Sequence, residues 1–247
     1  MSKKPRREEK RLKEKGKIEQ RVFDMPAMLT LEKLIRDEVL ASVEVLISEG
    51  KEARVFWGRA GPKAVGATEL AVKIYKIETS DFTHMQKYII GDPRVESLKK
   101  SRADIVNAWV KKEFKNLEIC QRAGVPAPKP RAFARNVLVM DFIGEQSVPA
   151  DLLKGIEVEN PQATLDELLE DVRKLYKVGL VHGDLNEFNV MYWNGRPWLI
   201  DIGQGVLLEH PAAEELLAKD VQNVLKHFRK RYGIKRDFDQ VMARIKA

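Results

Sequence analysis

The chain has little of what builds covalent or metal cross-links: its 247 residues include one cysteine, Cys120, and four histidines. A single thiol excludes an intrachain disulfide, and one Cys with scattered His excludes a Cys/His zinc site. Cys120 lies in a stretch with helical spacing and reads as a small buried hydrophobe, in keeping with a reducing cytoplasm. No apolar run approaches the ~18 residues expected of a membrane span. The basic N-terminus is followed by no apolar stretch of the kind a secretory signal needs. No membrane association is expected, a cytoplasmic protein is, and there is no internal repeat.

Charge is present in excess and unevenly placed. Residues 1–21 hold ten Lys/Arg against four Glu, so most of the formal net charge of +7 sits there. An arm with so few apolar residues, taken as 1–25, is expected to be disordered alone and fits contact with a phosphate backbone or a merely solvated tail. A second cluster, Lys226, Arg229, Lys230, Arg231, Lys235 and Arg236, offers the same two readings more weakly.

Apolar spacing orders the rest. A short helix is expected over Thr30–Leu40 with Thr30 as its cap, then strands over Val43–Ile47, Ala53–Trp57 and Leu70–Tyr75 as an antiparallel meander. Thr79–Ser101 is polar and reads as a long loop. Ala103–Arg122 reads as a helix closed by Gly124 and Pro126, and Asn136–Phe142 as a strand ending at Gly144. Thr164-Leu-Asp-Glu167 reads as a capping box for a helix that ends near Gly179. Val190–Trp193 and Pro197–Ile200 flank Asn194-Gly195, a strong hairpin signal. Pro211–Tyr232 is an amphipathic helix with Leu216, Leu217, Val221, Val224, Leu225 and Phe228 inward. Strands first and helices later predict an α+β protein of two lobes: 26–143 with the antiparallel sheet plus a helix, and 144–247, mostly helical.

The densest chemical signal is His-Gly-Asp-Leu-Asn-Glu-Phe-Asn, His182–Asn189, followed by Leu-Ile-Asp-Ile-Gly, Leu199–Gly203. Asp184 and Asn189 have the spacing of a catalytic loop in which an Asp accepts the substrate proton and an Asn holds metal. A two-residue turn pairs Trp193 with Arg196, which sets Asn189 opposite Ile200 and beside Asp201. An Asn carbonyl and a carboxylate suit Mg²⁺ (or Mn²⁺), with triphosphate and water oxygens completing the shell. Lys73, on a strand face with Ala71 and Tyr75, can reach the α/β-phosphates of ATP if a carboxylate holds it. Glu113 is the expected partner, and Glu118 the weaker one.

Ser48, Glu49, Gly50 and Lys51 lie between the first two strands, where they can cradle phosphate with one glycine. Val55 and Ala71 would roof the adenine, Met191 and Ile200 floor it, and Met140 guard its back, with the main chain of Asp141–Ile143 on its edge. The candidate catalytic residues are Asp184, Lys73 and Asp201, and the candidate metal ligands are Asn189 and Asp201.

These residues resemble the RIO family of atypical serine/threonine protein kinases. Gly-Lys-Glu-Ala (50–53), Leu-Val-His-Gly-Asp-Leu-Asn-Glu-Phe-Asn (180–189) and Ile-Asp-Ile-Gly-Gln (200–204) look like its loop signatures, and the likeness runs roughly from Val43 to Tyr232. The type 1 subfamily, in an archaeal form, fits best, because the residues before Val43 leave little room for the winged helix of type 2. The resemblance implies a truncated two-lobed kinase fold, ATP with Mg²⁺ or Mn²⁺, and a role in late small-ribosomal-subunit maturation, with the pre-ribosomal subunit and its RNA as partners. It also implies that the loop before Glu113, about Thr79–Ser101, is flexible and a site that can carry autophosphorylated Ser, and it implies action partly as an ATPase through a phosphoaspartate, here at Asp201.

Gly183 stands where ordinary kinases have Arg, and little chain separates Asp201 from Pro211, so the usual peptide platform has no room. Small-molecule phosphotransferases resembling aminoglycoside or choline kinases share the His-Gly-Asp pattern but need a larger acceptor subdomain. A kinase-like ATPase associated with tRNA modification is similarly short, and a nucleotide-timed RNA scaffold would carry the same motifs. Oligomeric state and physiological acceptor are not legible.

Overall fold

The computed structural model describes residues 25–78, 80–95 and 101–247. The basic arm therefore lies outside the described residues, apart from Met25, which opens the first helix.

That helix, α1, spans Met25–Arg36 rather than 30–40. Pro26 suits its first turn, and Ala27, Leu31 and Leu34 form the buried stripe. Thr30 is an interior residue whose hydroxyl bonds the Pro26 carbonyl at 2.8 Å, not a cap. β1 (Leu40–Glu49), β2 (Ala53–Ala60) and β3 (Glu69–Tyr75) form the expected meander. β4 (Pro130–Ala134) and β5 (Val137–Asp141) complete a five-stranded sheet in the order β1-β2-β3-β5-β4.

The pleat splits this sheet chemically. Phe56, Val72, Ile74, Val137 and Val139 pack with α1 in a small core on one face. The register pairs Val55 with Lys73, and Ala71 with both Trp57 and Met140, and these residues take the other face. The main core is continuous from that face through α3 into the helical half.

Part of the segment read as a loop is helical. α2 spans Phe82–Ile89, with Asp81 accepting from the His84 amide at 2.9 Å and Met85 and Ile89 buried. Two apolar positions four residues apart are too short a pattern to be read as a helix from sequence. α3 (Arg102–Ala123) is closed by left-handed Gly124, as expected, and Ser101, read as the end of the loop, caps its start. The short strands β6 (Gly144–Glu145), β7 (Val148–Pro149) and β8 (Asp151–Leu152) lead to α4 (Pro161–Lys177). The expected helix is there, but its cap is Asn160, which accepts from the Ala163 amide at 3.0 Å. Thr164 is buried inside it, so it caps nothing.

β9 (Leu180–Val181) pairs with β12 (Val206–Leu207), and β10 (Val190–Trp193) with β11 (Arg196–Leu199). α5 (Ala213–Tyr232) and α6 (Phe238–Lys246) end the chain. Among the described residues no helix is long and apolar enough to cross a membrane.

Candidate active site

Lys73 is at the centre of β3, and its Nζ lies between two carboxylates. It donates to Glu113 Oε1 at 2.8 Å and to Asp201 Oδ1 at 2.8 Å. α3 supplies the first acid and the end of the β10–β11 hairpin supplies the second. Burial opposes the ammonium charge, but Asp201 and Glu113 together hold its pKa well above the ordinary lysine value. Lys73 in turn lowers the pKa of Asp201. Glu113 is buried and takes a second hydrogen bond from the Tyr75 hydroxyl, which itself accepts from Trp109 Nε1 at 3.2 Å. Glu118 instead pairs with Lys115 on the helix surface.

The hairpin has the geometry its sequence implies. Asn194 and Gly195 both have positive φ, 51° and 76°, as a tight two-residue turn demands. Trp193 pairs with Arg196, and the Ile200 amide donates to the Asn189 carbonyl at 3.0 Å. Asn189 Nδ2 is spent on Asp184, at 2.8 Å from its carbonyl and 3.1 Å from Oδ2, so the Asn189 side-chain oxygen is the atom left for a cation. Asp201 is left-handed (φ 57°, ψ 51°), which turns its carboxylate toward Lys73. Among the described residues no three His, Cys, Asp or Glu side chains converge on a metal position. Two hard oxygen donors fit a cation that draws its other ligands from phosphate and water.

The catalytic-loop candidate is fixed from three sides. His182 is buried and its Nε2 contacts the Ile200 carbonyl at 3.1 Å, with burial lowering its pKa. Gln204 Nε2 reaches Asp184 Oδ2 at 3.3 Å. Gly183 has φ +83°, and a Cβ there would come 2.9 Å from the Gln204 carbonyl, so the residue in the place of the kinase Arg has no room for a side chain.

This arrangement joins a Lys on the sheet, paired with a Glu from the helix α3, to an Asp/Asn pair on a hairpin, with a second Asp on the neighbouring loop, and such parts position and neutralise a transferring phosphoryl group. The RIO domain family matches residues 54–241, three quarters of the chain. The chain belongs to the RIO family of atypical serine/threonine protein kinases. The RIO-type serine/threonine-protein kinase Rio1 of Haloferax volcanii is 45% identical over 225 residues, covering 91% of this chain and 76% of that protein. Rio1 of Methanocaldococcus jannaschii is 39% identical over 224 residues, covering 90% and 75%. The fold is similar to the Rio2 kinase–ADP/Mg²⁺–phosphoaspartate complex from Chaetomium thermophilum, with TM-score 0.65 and 22% identity over 87% of this chain. The chain spans 65% of that structure's length.

On this RIO framework the candidate nucleotide residues divide. Val55, Ala71 and Met140 share the sheet face with Lys73, and Met191 and Ile200 lie half-buried on and beside the hairpin. Ser48 and Glu49 end β1, where Glu49 is engaged by Arg54 and Lys76. The Gly50 amide donates to the Ala53 carbonyl, so it closes the turn instead of facing outward. The Asp141 amide donates to the Lys129 carbonyl, the Phe142 amide to that of Glu69, and the Asp141 carboxylate is gripped by Arg131. That leaves the Ile143 amide as the donor on the expected adenine edge.

Sequence reasoning missed Asp220. It lies on the buried face of α5, and its two oxygens each accept a backbone amide at 2.7 Å, from Gly183 and from Leu185. The signal was available: an Asp inside the apolar stripe between Leu217 and Val221. Burial raises its pKa to about 7, against the pull of the two amides. Because the folded value lies above the unfolded one of about 4, its contribution to stability is greatest in acid and is lost as pH rises through about 7. Asp220→Ala should cost about 1–3 kcal/mol for each amide left unpaired. Asp220→Asn should flatten the pH dependence of stability between those values. Denaturant titrations from acid to neutral pH check both, and a pH profile in Asp220→Asn matching the wild type would contradict the second.

Proposed function

We propose that the protein transfers the γ-phosphoryl group of ATP, with Mg²⁺ or Mn²⁺, to a Ser/Thr hydroxyl or to water. The observation that carries this reading is the convergence of Lys73, Glu113 and Asp201, from a strand, a helix and a hairpin distant in sequence, within 2.8 Å contacts. Lys73 would bind the α/β-phosphates, held in place by Glu113. Asp184 would take the proton of the attacking hydroxyl, kept aimed by Asn189 and Gln204. Asn189 and Asp201 would hold the cation, which when bound neutralises charge on the phosphate oxygens. Val55, Ala71, Met140, Met191 and Ile200 would enclose the adenine, with the main chain of 141–143 on its edge. Ser48 and residues 49–51 would cover the phosphates. Radiolabelled ATP with wild type and Asp184→Ala tests the assignment: transfer to protein hydroxyls and release of phosphate should both fall by on the order of 10²-fold or more, and equal rates would refute it.

Hydrolysis through Asp201 is the second reading. Its carboxylate is half exposed, with one oxygen on Lys73. One carboxylate oxygen would bond to the γ-phosphorus as the bond to ADP breaks, and water would later release phosphate. The Rio2 structure of similar fold is described as a phosphoaspartate complex.

Action on the maturing small ribosomal subunit and its RNA belongs to the same proposal. It is supported by the charge of residues 1–21 and by a cleft beside the catalytic loop lined by Lys154, Phe188, Lys226, Lys230 and Arg231. Deleting residues 1–21 should leave ATP turnover nearly intact, weaken binding to ribosomal RNA, and make its salt dependence shallower, because fewer counterions are released. Titration of both forms at several salt concentrations checks this. Identical affinities and slopes would remove the arm from the interface.

A further inference from the structure

One residue before Glu113, α3 buries a second charge that the proposed chemistry does not use. Lys112 is 3% exposed. Its Nζ donates to the Gly203 carbonyl at 2.9 Å and also to the Gly205 carbonyl. One turn later, buried Asn116 donates Nδ2 to the Ile202 carbonyl at 2.8 Å and to that of Gly205 at 2.9 Å. Two side chains of one helix thus take the carbonyls of 202, 203 and 205, the short turn that directly follows Asp201. Arg94 donates to Asn116 Oδ1 at 2.8 Å, which fixes the way that amide faces, and Asp92 grips Arg94 with both oxygens.

The turn also lies as close to α3 as backbone allows. A Cβ on Gly203 would come 2.7 Å from Trp109 Nε1, and one on Gly205 would come 2.9 Å from Asn116 Nδ2.

A buried lysine whose hydrogen-bond partners are carbonyls is a costly way to fill space, since desolvation is not offset by a carboxylate in contact. Burial lowers the pKa of Lys112 to about 7, with Asp92 opposing the fall and Arg94 adding to it. Charged or neutral, the amine keeps at least two N–H donors, enough for both carbonyls. Meanwhile Asp201 sits in a left-handed conformation that non-glycine residues adopt only when their surroundings hold them there.

We propose that Lys112, with Asn116, is a positioning residue that anchors the backbone of 202–205 to α3 and so presents the Asp201 carboxylate to a divalent cation beside Asn189. The proposal rests on the metal role given to Asp201 above. Its consequence is that one helix sets both halves of the site: Glu113 orients Lys73, and the residue before it orients Asp201. Displacement of α3 would disable phosphate binding and metal binding together.

The test measures binding of fluorescent mant-ADP to the full chain with and without Mg²⁺, so that the readout is the gain in nucleotide affinity that the metal confers. Lys112→Met should lose that gain by about tenfold, the scale of supporting shells around a metal ligand, while metal-free affinity changes less than about twofold. A Lys112 that only stabilised the fold would leave the metal-dependent gain unchanged in the folded protein. Lys112→Gln, which retains an amide donor, should recover part of the gain. If Lys112→Met does not fold, as judged by circular dichroism, Asn116→Ala is read in its place, with the same direction expected. A gain equal to wild type in the folded variant overturns the proposal. Asp201→Asn is measured alongside: if it keeps the full gain, the metal reading of the site has failed, whereas loss of the gain in Asp201→Asn with no loss in Lys112→Met sinks the positioning proposal alone.

Discussion

Replacing Asp201 by Asn should reduce Mg²⁺-dependent ATP turnover on the order of 10²–10³-fold, the scale for removing one preorganised charge from a reacting centre, while the fold survives. The two consequences separate because Asp201 and Glu113 share Lys73 unequally. Glu113 is 1% exposed and remains as counter-charge to the buried ammonium when Asp201 is neutralised. The Asp201 side chain is 55% exposed, so its ion pair is screened and adds little to stability. Lys73 holds the pKa of Asp201 below the ordinary Asp value, so it is ionised at neutral pH, and the raised value of Lys73 keeps that partner charged beyond the ordinary lysine range. The pair's contribution is thus lost only in acid, as pH falls through the folded value of Asp201, or in strong alkali, as pH rises through that of Lys73. Steady-state turnover over a Mg²⁺ series, with thermal unfolding of the same samples, checks the result. Turnover equal to wild type would remove the metal role from Asp201.

Replacing Lys73 by Ala should be worse for both activity and stability. It strips Glu113 of its cation and leaves a buried carboxylate with the Tyr75 hydroxyl as its remaining partner, a loss of about 3–5 kcal/mol for a broken buried pair. Nucleotide use should fall by orders of magnitude, because the direct contact to phosphate is gone. Glu113→Ala should fall less in turnover: Lys73 keeps Asp201 at 2.8 Å and stays charged, but is drawn toward the hairpin and away from the position that Glu113 enforces. Denaturant midpoints and turnover of the two variants, compared at one temperature, order the effects. Equal turnover in Glu113→Ala and wild type would mean that Glu113 does not orient Lys73.

Much of this site was legible because its geometry is local. The Asn194-Gly195 turn fixes register over a few residues, and register alone puts Asn189 beside Asp201. The pairing of Lys73 with Glu113 rather than Glu118 followed from helix facing. Chain punctuation was less secure where several polar residues compete for one task. Thr164 and Asn160 both suit a helix start, and Asn160 became the cap with Pro161 following it. Thr30 has the chemistry of a cap, but Pro26 and the Ala27–Leu31–Leu34 stripe carry the helix past it.

By itself, then, the sequence determined the meander, the helices on either side of the loop of 182–189, the hairpin and the identity of the charged residues on it, since all depend on spacing, turn chemistry and pleat. Tertiary structure alone decided what surrounds those residues. Asp220 reaches back to the amides of 183 and 185, Lys112 and Asn116 reach forward to the carbonyls of 202–205, and Tyr75 and Trp109 line up behind Glu113. The partners in the first two sets lie 35 to 93 residues apart in the chain. No local period encodes such contacts: a buried Asp, Lys or Asn is tolerated only where folding brings it an unpaired backbone group, and that group belongs to another element.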